Sequence, residues 1–244
     1  MDLSTLYSLF IFQLQADRSA GSKMMLSAFD GAHALVFQAG LTPEGTLENG
    51  SFCGGPSWKG EWRAVRNDTV NLPDPTILTF LKPGYEKLEF TFPDLNGKPV
   101  SLSDSKYIGK PVIVQIIGSW CPNCMDETRF FADLYLQYKD KGLQIIALSY
   151  ESANREASIK AIERFKSNIG ADYIFLYAGE SNKRKASETL PMLNRTLSFP
   201  TSIFIDRNGK ISKIFTGFSG PGTGKHYTEL TSEITKTVER IVRE

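Results

Sequence analysis

The rhythm of apolar positions changes after about residue 72. Up to there they come in short β-prone runs: "LYSLFIF", "KMMLSAF", "AHALVFQAGL", "GTLENGSF" and "KGEWRAVR". Asp30-Gly31, Pro43-Glu44-Gly45 and Asn49-Gly50 punctuate these runs. Asp-Gly and Asn-Gly between apolar runs are hairpin signals, because both central residues of a type I′ turn need positive φ. Residues 1–72 are therefore expected to form a small antiparallel β unit, part of a barrel or sandwich cut at its N-terminus. "NLPDPTILTFLKPG" follows, and its three prolines predict a linker over 73–82.

From residue 83 the pattern alternates between strand and helix. "LEFTF" and "PVSLSD" flank Asn96-Gly97 and predict a hairpin. "PVIVQIIG" (111–118) is rich in β-branched residues with little alternation, as in a central strand covered on both faces. A helix is predicted from Cys121 to Lys141, with Phe131, Leu134, Tyr135 and Tyr138 at helical spacing and Gly142 as its stop. A strand in "LQIIALSY", a helix over 153–168, a strand in "YIFLYA" and a helical segment broken at Pro191 come next. "TSIFID" and "KISKIFTGF" flank Asp206–Gly209 as a second hairpin. Tyr227, Leu230, Ile234, Val238 and Ile241 then place one apolar stripe on a last helix. This order predicts an α/β domain over 83–244, a mixed sheet with helices on both faces, preceded by the antiparallel β unit.

Composition narrows the function classes. Of 244 residues, 41% are hydrophobic and 23% charged, the balance of an ordinary globular protein. A formal net charge of +1 supplies no field for nucleic acid or a membrane surface. No apolar run reaches the roughly 20 residues of a membrane helix. The N-terminal "MDLSTLYSLFIFQLQADRSAGSK" carries Asp2 where an export signal is basic, so it reads as a strand, and membrane anchoring is expected only through a segment ahead of it. "GFSGPGTGKHY" approaches the phosphate-loop pattern, but Ser219 stands at its first glycine and His226 at its magnesium-binding Ser/Thr. A flexible glycine turn is expected there, and no nucleotide.

The chemistry concentrates in "GSWCPNCMDE" (118–127), which holds two of the three cysteines. Cys53 has no sequence-near partner and is expected as a small buried or loop residue. The loop between Cys121 and Cys124 is too short for a disulfide to act mainly as a staple. Redox chemistry or metal binding remains. Zinc requires four ligands, whereas the chain offers one cysteine pair and only His33 and His226 as histidines, so no metal is expected.

With "FPDLNGKPVSLSD" ahead of the central strand, "GSWCPNC" at its end and "SFPTSIFIDRNGKI" downstream, residues 83–244 resemble the thioredoxin-fold, TlpA/ResA-like thiol–disulfide oxidoreductases of the redoxin (AhpC/TSA-type) superfamily. Residues 1–72 carry no such likeness. The resemblance implies a thioredoxin-like sheet and disulfide exchange with protein thiols, with the reductase direction favoured. It implies no cofactor beyond a redox-active Cys121–Cys124 disulfide. Its partners would be protein thiol or disulfide substrates and an upstream electron donor, in the bacterial periplasm or cell envelope.

Roles follow residue by residue. Cys121, at a strand-to-helix junction where backbone N–H groups and the helix dipole favour an anion, would be the exposed attacking thiolate. Cys124, one turn on, would resolve the mixed disulfide. The fold implies a cis Pro200 beside the dithiol, with Phe199 and Thr201 lining the substrate groove. Trp120 would cover one side of the dithiol as a flat apolar contact, and Pro122 and Asn123 would tune its potential. Thioredoxin itself carries a buried aspartate where this chain has Gln115. Glu127 matches the C-x-x-C-x-x-E arrangement of the TlpA/ResA-like group and would take the Cys124 proton, although a first-turn acid is also favoured by the dipole alone. Copper-handling relatives use C-x-x-x-C and a distal histidine, and neither is present. A thiol peroxidase of the peroxiredoxin type needs a threonine three residues before its cysteine, where Cys121 has Gly118 and Cys124 has Cys121. The other alternative is a ligand-binding or docking role for the β unit, regulated by the dithiol.

Overall fold

The computed structural model describes residues 15–17, 23–29, 34–55, 58–69, 74–152, 154–195 and 198–244. The chain divides into two units, Met1–Pro73 with Ser219–Tyr227, and Asp74–Phe218 with Thr228–Glu244.

In the first unit, β1 (Gln15–Asp17), β2 (Lys23–Phe29), β3 (Ala34–Leu41), β4 (Leu47–Cys53) and β5 (Lys59–Ala64) form an antiparallel meander in chain order. Alternation along β3 buries Leu35 and Ala39. Phe37, Phe52, Trp58 and Trp62 pack around Leu35 as one aromatic cluster. The β3–β4 turn falls where Pro43-Glu44-Gly45 signals it: Gly45, at φ 82°, donates its N–H to the Thr42 carbonyl.

Asn49-Gly50 is not a turn. It lies inside β4, where the register with β5 shifts between Leu47 and Gly50 and Asn49 has φ 50°. Asparagine tolerates the left-handed region in a bulge as it does in a turn, so the dipeptide alone does not separate the two. Cys53 is also exposed rather than buried, because it follows the inward-facing Phe52 by one residue. The expected strand in "LYSLFIF" and the Asp30-Gly31 turn lie outside the described residues.

The second unit opens with a hairpin, β6 (Thr91–Pro93) and β7 (Pro99–Ser101), turning at Gly97 with φ 88°. Then come β8 (Val112–Ile117), α1 (Pro122–Tyr138), β9 (Gln144–Glu151), α2 (Arg155–Ile169), β10 (Ile174–Glu180), α3 (Lys183–Thr189), β11 (Thr201–Ile205), β12 (Ile211–Thr216) and α4 (Lys225–Arg243). The sheet order is β10-β9-β8-β11-β12, with β8, β9 and β10 parallel and β11 antiparallel to both its neighbours. All six residues of β8 are buried, as a strand covered on both faces requires. α1 ends in a 3₁₀ turn at Lys139–Lys141 and stops at Gly142, which adopts φ 97°.

The segment over 74–82 is hydrogen-bonded within this unit. Lys82 N–H donates to the Met192 carbonyl, Asn194 N–H donates to that of Phe80, and Thr79 is buried against Thr216. Near 220 the glycine-rich stretch forms a 3₁₀ turn at Pro221–Thr223, with the Thr223 hydroxyl donating to Gly220 O. β12 ahead of it is antiparallel to β11, unlike the strand that precedes a phosphate loop.

Phe131 of α1 is fully buried and meets Phe204 of β11 edge to face at 6.2 Å. Phe131→Ala should cost about 3–5 kcal/mol of stability, read from equilibrium denaturation.

Candidate active site

β8 ends at Ile117, and four residues, 118–121, carry the chain from it into α1. Cys121 is the N-cap of α1, with extended φ −96° and ψ 116°, and its Sγ accepts the Cys124 N–H at 3.2 Å. A cap side chain normally supplies oxygen for this purpose; here sulfur does. Pro122 follows in the first turn, where a missing N–H costs nothing. Cys121 and Cys124 form a disulfide with a Cα–Cα distance of 5.2 Å. Cys124 is fully buried and Cys121 only 6% exposed, so the expected exposed thiol offers no more than an edge in the oxidised state.

The peptide bond between Phe199 and Pro200 is cis. The Phe199 carbonyl oxygen lies 3.3 Å from Cys121 Sγ. The Phe199 ring packs between Trp120, at 5.6 Å, and Tyr150, at 5.8 Å between centroids. Trp120 is 54% exposed and is fixed by its Nε1, which donates to the Tyr150 carbonyl. Asn123 Nδ2 donates to the Phe218 carbonyl. Thr201 does not line a groove. It is fully buried, its hydroxyl donates to Ser198 O, and its backbone lies between those of Ile116 and Thr216 as β11 enters the sheet.

A Cβ on Gly118 would overlap the Trp120 indole. The threonine a peroxidatic cysteine needs at this position has no room while Trp120 holds its place.

Glu127 is fully buried. An acid placed only for the helix dipole would point to solvent, but this one points between strands. Its Oε2 accepts from Gln115 Nε2 at 2.8 Å and its Oε1 from the Ser202 hydroxyl at 2.9 Å. Gln115 Nε2 also donates to Thr128 Oγ1 at 3.1 Å, and Gln115 Oε1 accepts from the Tyr173 hydroxyl at 3.1 Å. Burial pushes the Glu127 carboxyl up to about 8, against the smaller downward pull of the Gln115 and Ser202 hydrogen bonds. Tyr173 is held well above the usual phenol range by burial and by the Glu127 charge.

Ser202 and Tyr173 were invisible to motif reading, as was a second carboxyl. Glu151, nearly buried at the end of β9, accepts the Ser119 N–H and hydroxyl at 2.8 Å each and the Ser149 hydroxyl at 2.7 Å. An acid closing the otherwise apolar and hydroxyl-bearing run "IIALSYE" was the available signal.

The Redoxin family profile matches residues 82–230. The chain belongs to the redoxin family. The chain is similar to the thiol–disulfide oxidoreductase ResA of Bacillus subtilis, at 29% identity over 55% of this chain and 67% of that protein. ResA of Bacillus anthracis is 32% identical over 55% and 69%. The redoxin domain shares its fold with a solution structure of a candidate protein disulfide isomerase from Bacteroides thetaiotaomicron (TM-score 0.51, 21% identity, 68% of this chain and 93% of that one). With the Cys121–Cys124 pair at disulfide distance, this redoxin is a thiol–disulfide oxidoreductase. Among the described residues no helix is long and apolar enough to cross a membrane, and no group of three His, Cys, Asp or Glu side chains is placed to hold a metal.

The raised affinity of Glu127 for its proton sets the sign of a pH effect. Its pKa is about 8 when folded against an ordinary 4.5, so the folded state binds the proton more tightly. The resulting stability is complete below pH 4.5 and is lost as pH rises to about 8. The unfolding free energy of the oxidised protein, read from urea denaturation, should fall across that window by an amount on the order of a few kcal/mol. Glu127→Gln should flatten the slope; an unchanged slope would show that Glu127 is not its source.

Proposed function

We propose that this redoxin reduces disulfides of protein substrates, with Cys121 as nucleophile, Cys124 as resolving thiol and Glu127 as the proton acceptor for Cys124. The carrying observation is the sulfur cap: Cys121 Sγ accepts the Cys124 N–H at the start of α1 while Cys124 is fully enclosed. A helix N-terminus favours the thiolate, and the buried partner is sheltered from other oxidants.

The Cys121 thiolate attacks one sulfur of a substrate disulfide. That S–S bond breaks and the departing substrate thiolate takes a proton. Cys124 gives its proton to the Glu127 carboxylate and attacks Cys121 Sγ, closing the Cys121–Cys124 disulfide and releasing the second substrate thiolate. Two electrons pass to the substrate, and an upstream dithiol donor restores the pair. A carboxyl near 8 is close in proton affinity to an ordinary thiol of about 8.5, so transfer between them is nearly level.

Trp120, Phe199 and the Phe199–Pro200 backbone form the face for an extended substrate segment, and Pro122 and Asn123 adjust the potential through the helix terminus. No cofactor beyond the dithiol takes part. The reading takes residues 83–244 as the redox domain, with the expected linker over 73–82 bonded onto that domain from residue 74, and residues 1–72 as the β unit. Kinship with ResA supports a place in the bacterial periplasm or cell envelope.

Cys124→Ser should accumulate a mixed disulfide with substrate, visible on non-reducing gels, and Cys121→Ser should accumulate none. The reverse pattern would exchange the two roles. Equilibrating the dithiol across a glutathione series should give a potential near about −270 mV; one near about −120 mV would make the protein an oxidant instead.

A further inference from the structure

Gln115 is the one polar side chain in β8, and each of its hydrogen-bonding atoms is occupied. Its Nε2 donates to Glu127 Oε2 at 2.8 Å and to Thr128 Oγ1 at 3.1 Å, and its Oε1 accepts from Tyr173 at 3.1 Å. An amide can rotate end for end with little change of shape, so only its partners decide which end faces Glu127. Tyr173 supplies that decision. Burial keeps its phenol protonated, and Thr128 hydrogen-bonds to the phenol oxygen, so the side that meets the amide is the donating O–H, on Gln115 Oε1.

With the amide so held, Glu127 Oε2 faces an N–H that can only donate. A proton on Oε2 would point at another proton. Oε1 faces the Ser202 hydroxyl at 2.9 Å, which can accept as well as donate. Oε1 is therefore the oxygen that can carry a proton.

We propose that Tyr173 is a positioning residue for proton transfer at Cys124: by donating to Gln115 Oε1 it keeps the Gln115 N–H on Glu127 Oε2 and so directs the transferred proton to Glu127 Oε1, shared with Ser202. The proposal rests on Glu127 being the proton acceptor. Glu127 is met by Gln115 from β8 and Ser202 from β11, with Thr128 and Tyr173 on the far side of Gln115, and Cys124 stands three residues before it on the same helix. Of these, Tyr173 is the titratable group, and Cys124 carries a proton only after the disulfide is reduced.

Tyr173→Phe removes one oxygen and keeps the ring, which stacks on Phe175 at 5.2 Å and meets Tyr135 edge to face at 5.8 Å. The experiment follows the Glu127 side-chain carbon by NMR against pH, assigned by its loss in Glu127→Gln, together with single-turnover resolution of a mixed disulfide. In Tyr173→Phe the freed amide can turn its oxygen to a protonated Glu127. The Glu127 midpoint should move to higher pH, and resolution at pH 7 should slow about tenfold. Gln115→Leu should move both in the same direction, and adding Tyr173→Phe to it should change nothing further. An unmoved midpoint in Tyr173→Phe, or effects of the two substitutions that add, would overturn the proposal. In the unaltered protein the two Gln115 side-chain amide protons should resist exchange; free exchange would overturn it without any variant. If Glu127→Gln left the pH profile of resolution unchanged, the acceptor assignment itself would fall instead.

Discussion

The hydrogen bond from the Cys124 amide to Cys121 Sγ joins local folding to chemistry. A helix start must find acceptors for its first N–H groups, and α1 meets part of that need with the atom that will react. Oxidation state and helix capping are thereby one variable. A thiolate is the better acceptor, so the cap strengthens when Cys121 is reduced and ionised. The rest of the domain can be read as support for that arrangement: β8 delivers the chain to the cap, β9 fastens the approach, and β11 brings the Phe199 carbonyl to the same sulfur.

Below the cap lies a buried polar layer where an apolar one would be simpler. Gln115, Glu127, Thr128, Ser202 and Tyr173 come from three strands' neighbourhoods and one helix, and the hydrogen bonds run among themselves. A carboxyl in such a layer is tolerable because it can stay neutral, and the raised proton affinity is the visible sign of that. The departure from a buried aspartate at position 115 then has a physical account. The acid has moved from the strand to the helix, and the strand contributes the amide that restrains it.

Legibility followed sequence distance. The wholly apolar β8, the glycine stop at Gly142 and the stripe of α4 depend on neighbours within a turn or two, and the chain states them openly. The dithiol and Pro200 were legible through a resemblance carried by three separated segments. What escaped was set by contacts across the fold. Ser202 reaches Glu127 over 75 positions, Tyr173 reaches Gln115 over 58, and Glu151 reaches Ser119 over 32. Thr201 and Asn49 misled for a related reason. A residue beside a functional proline need not face outward, and an Asn-Gly pair serves a bulge as well as a turn.

Gly118 and Trp120 occupy one volume between them. The two positions therefore behave as a single locus under mutation. A side chain cannot enter at 118 while the indole stays where it is. The indole, held by its Nε1 to the Tyr150 carbonyl, has to give way first. Until then, the route from disulfide exchange toward peroxide chemistry on this scaffold is closed by the volume of one ring.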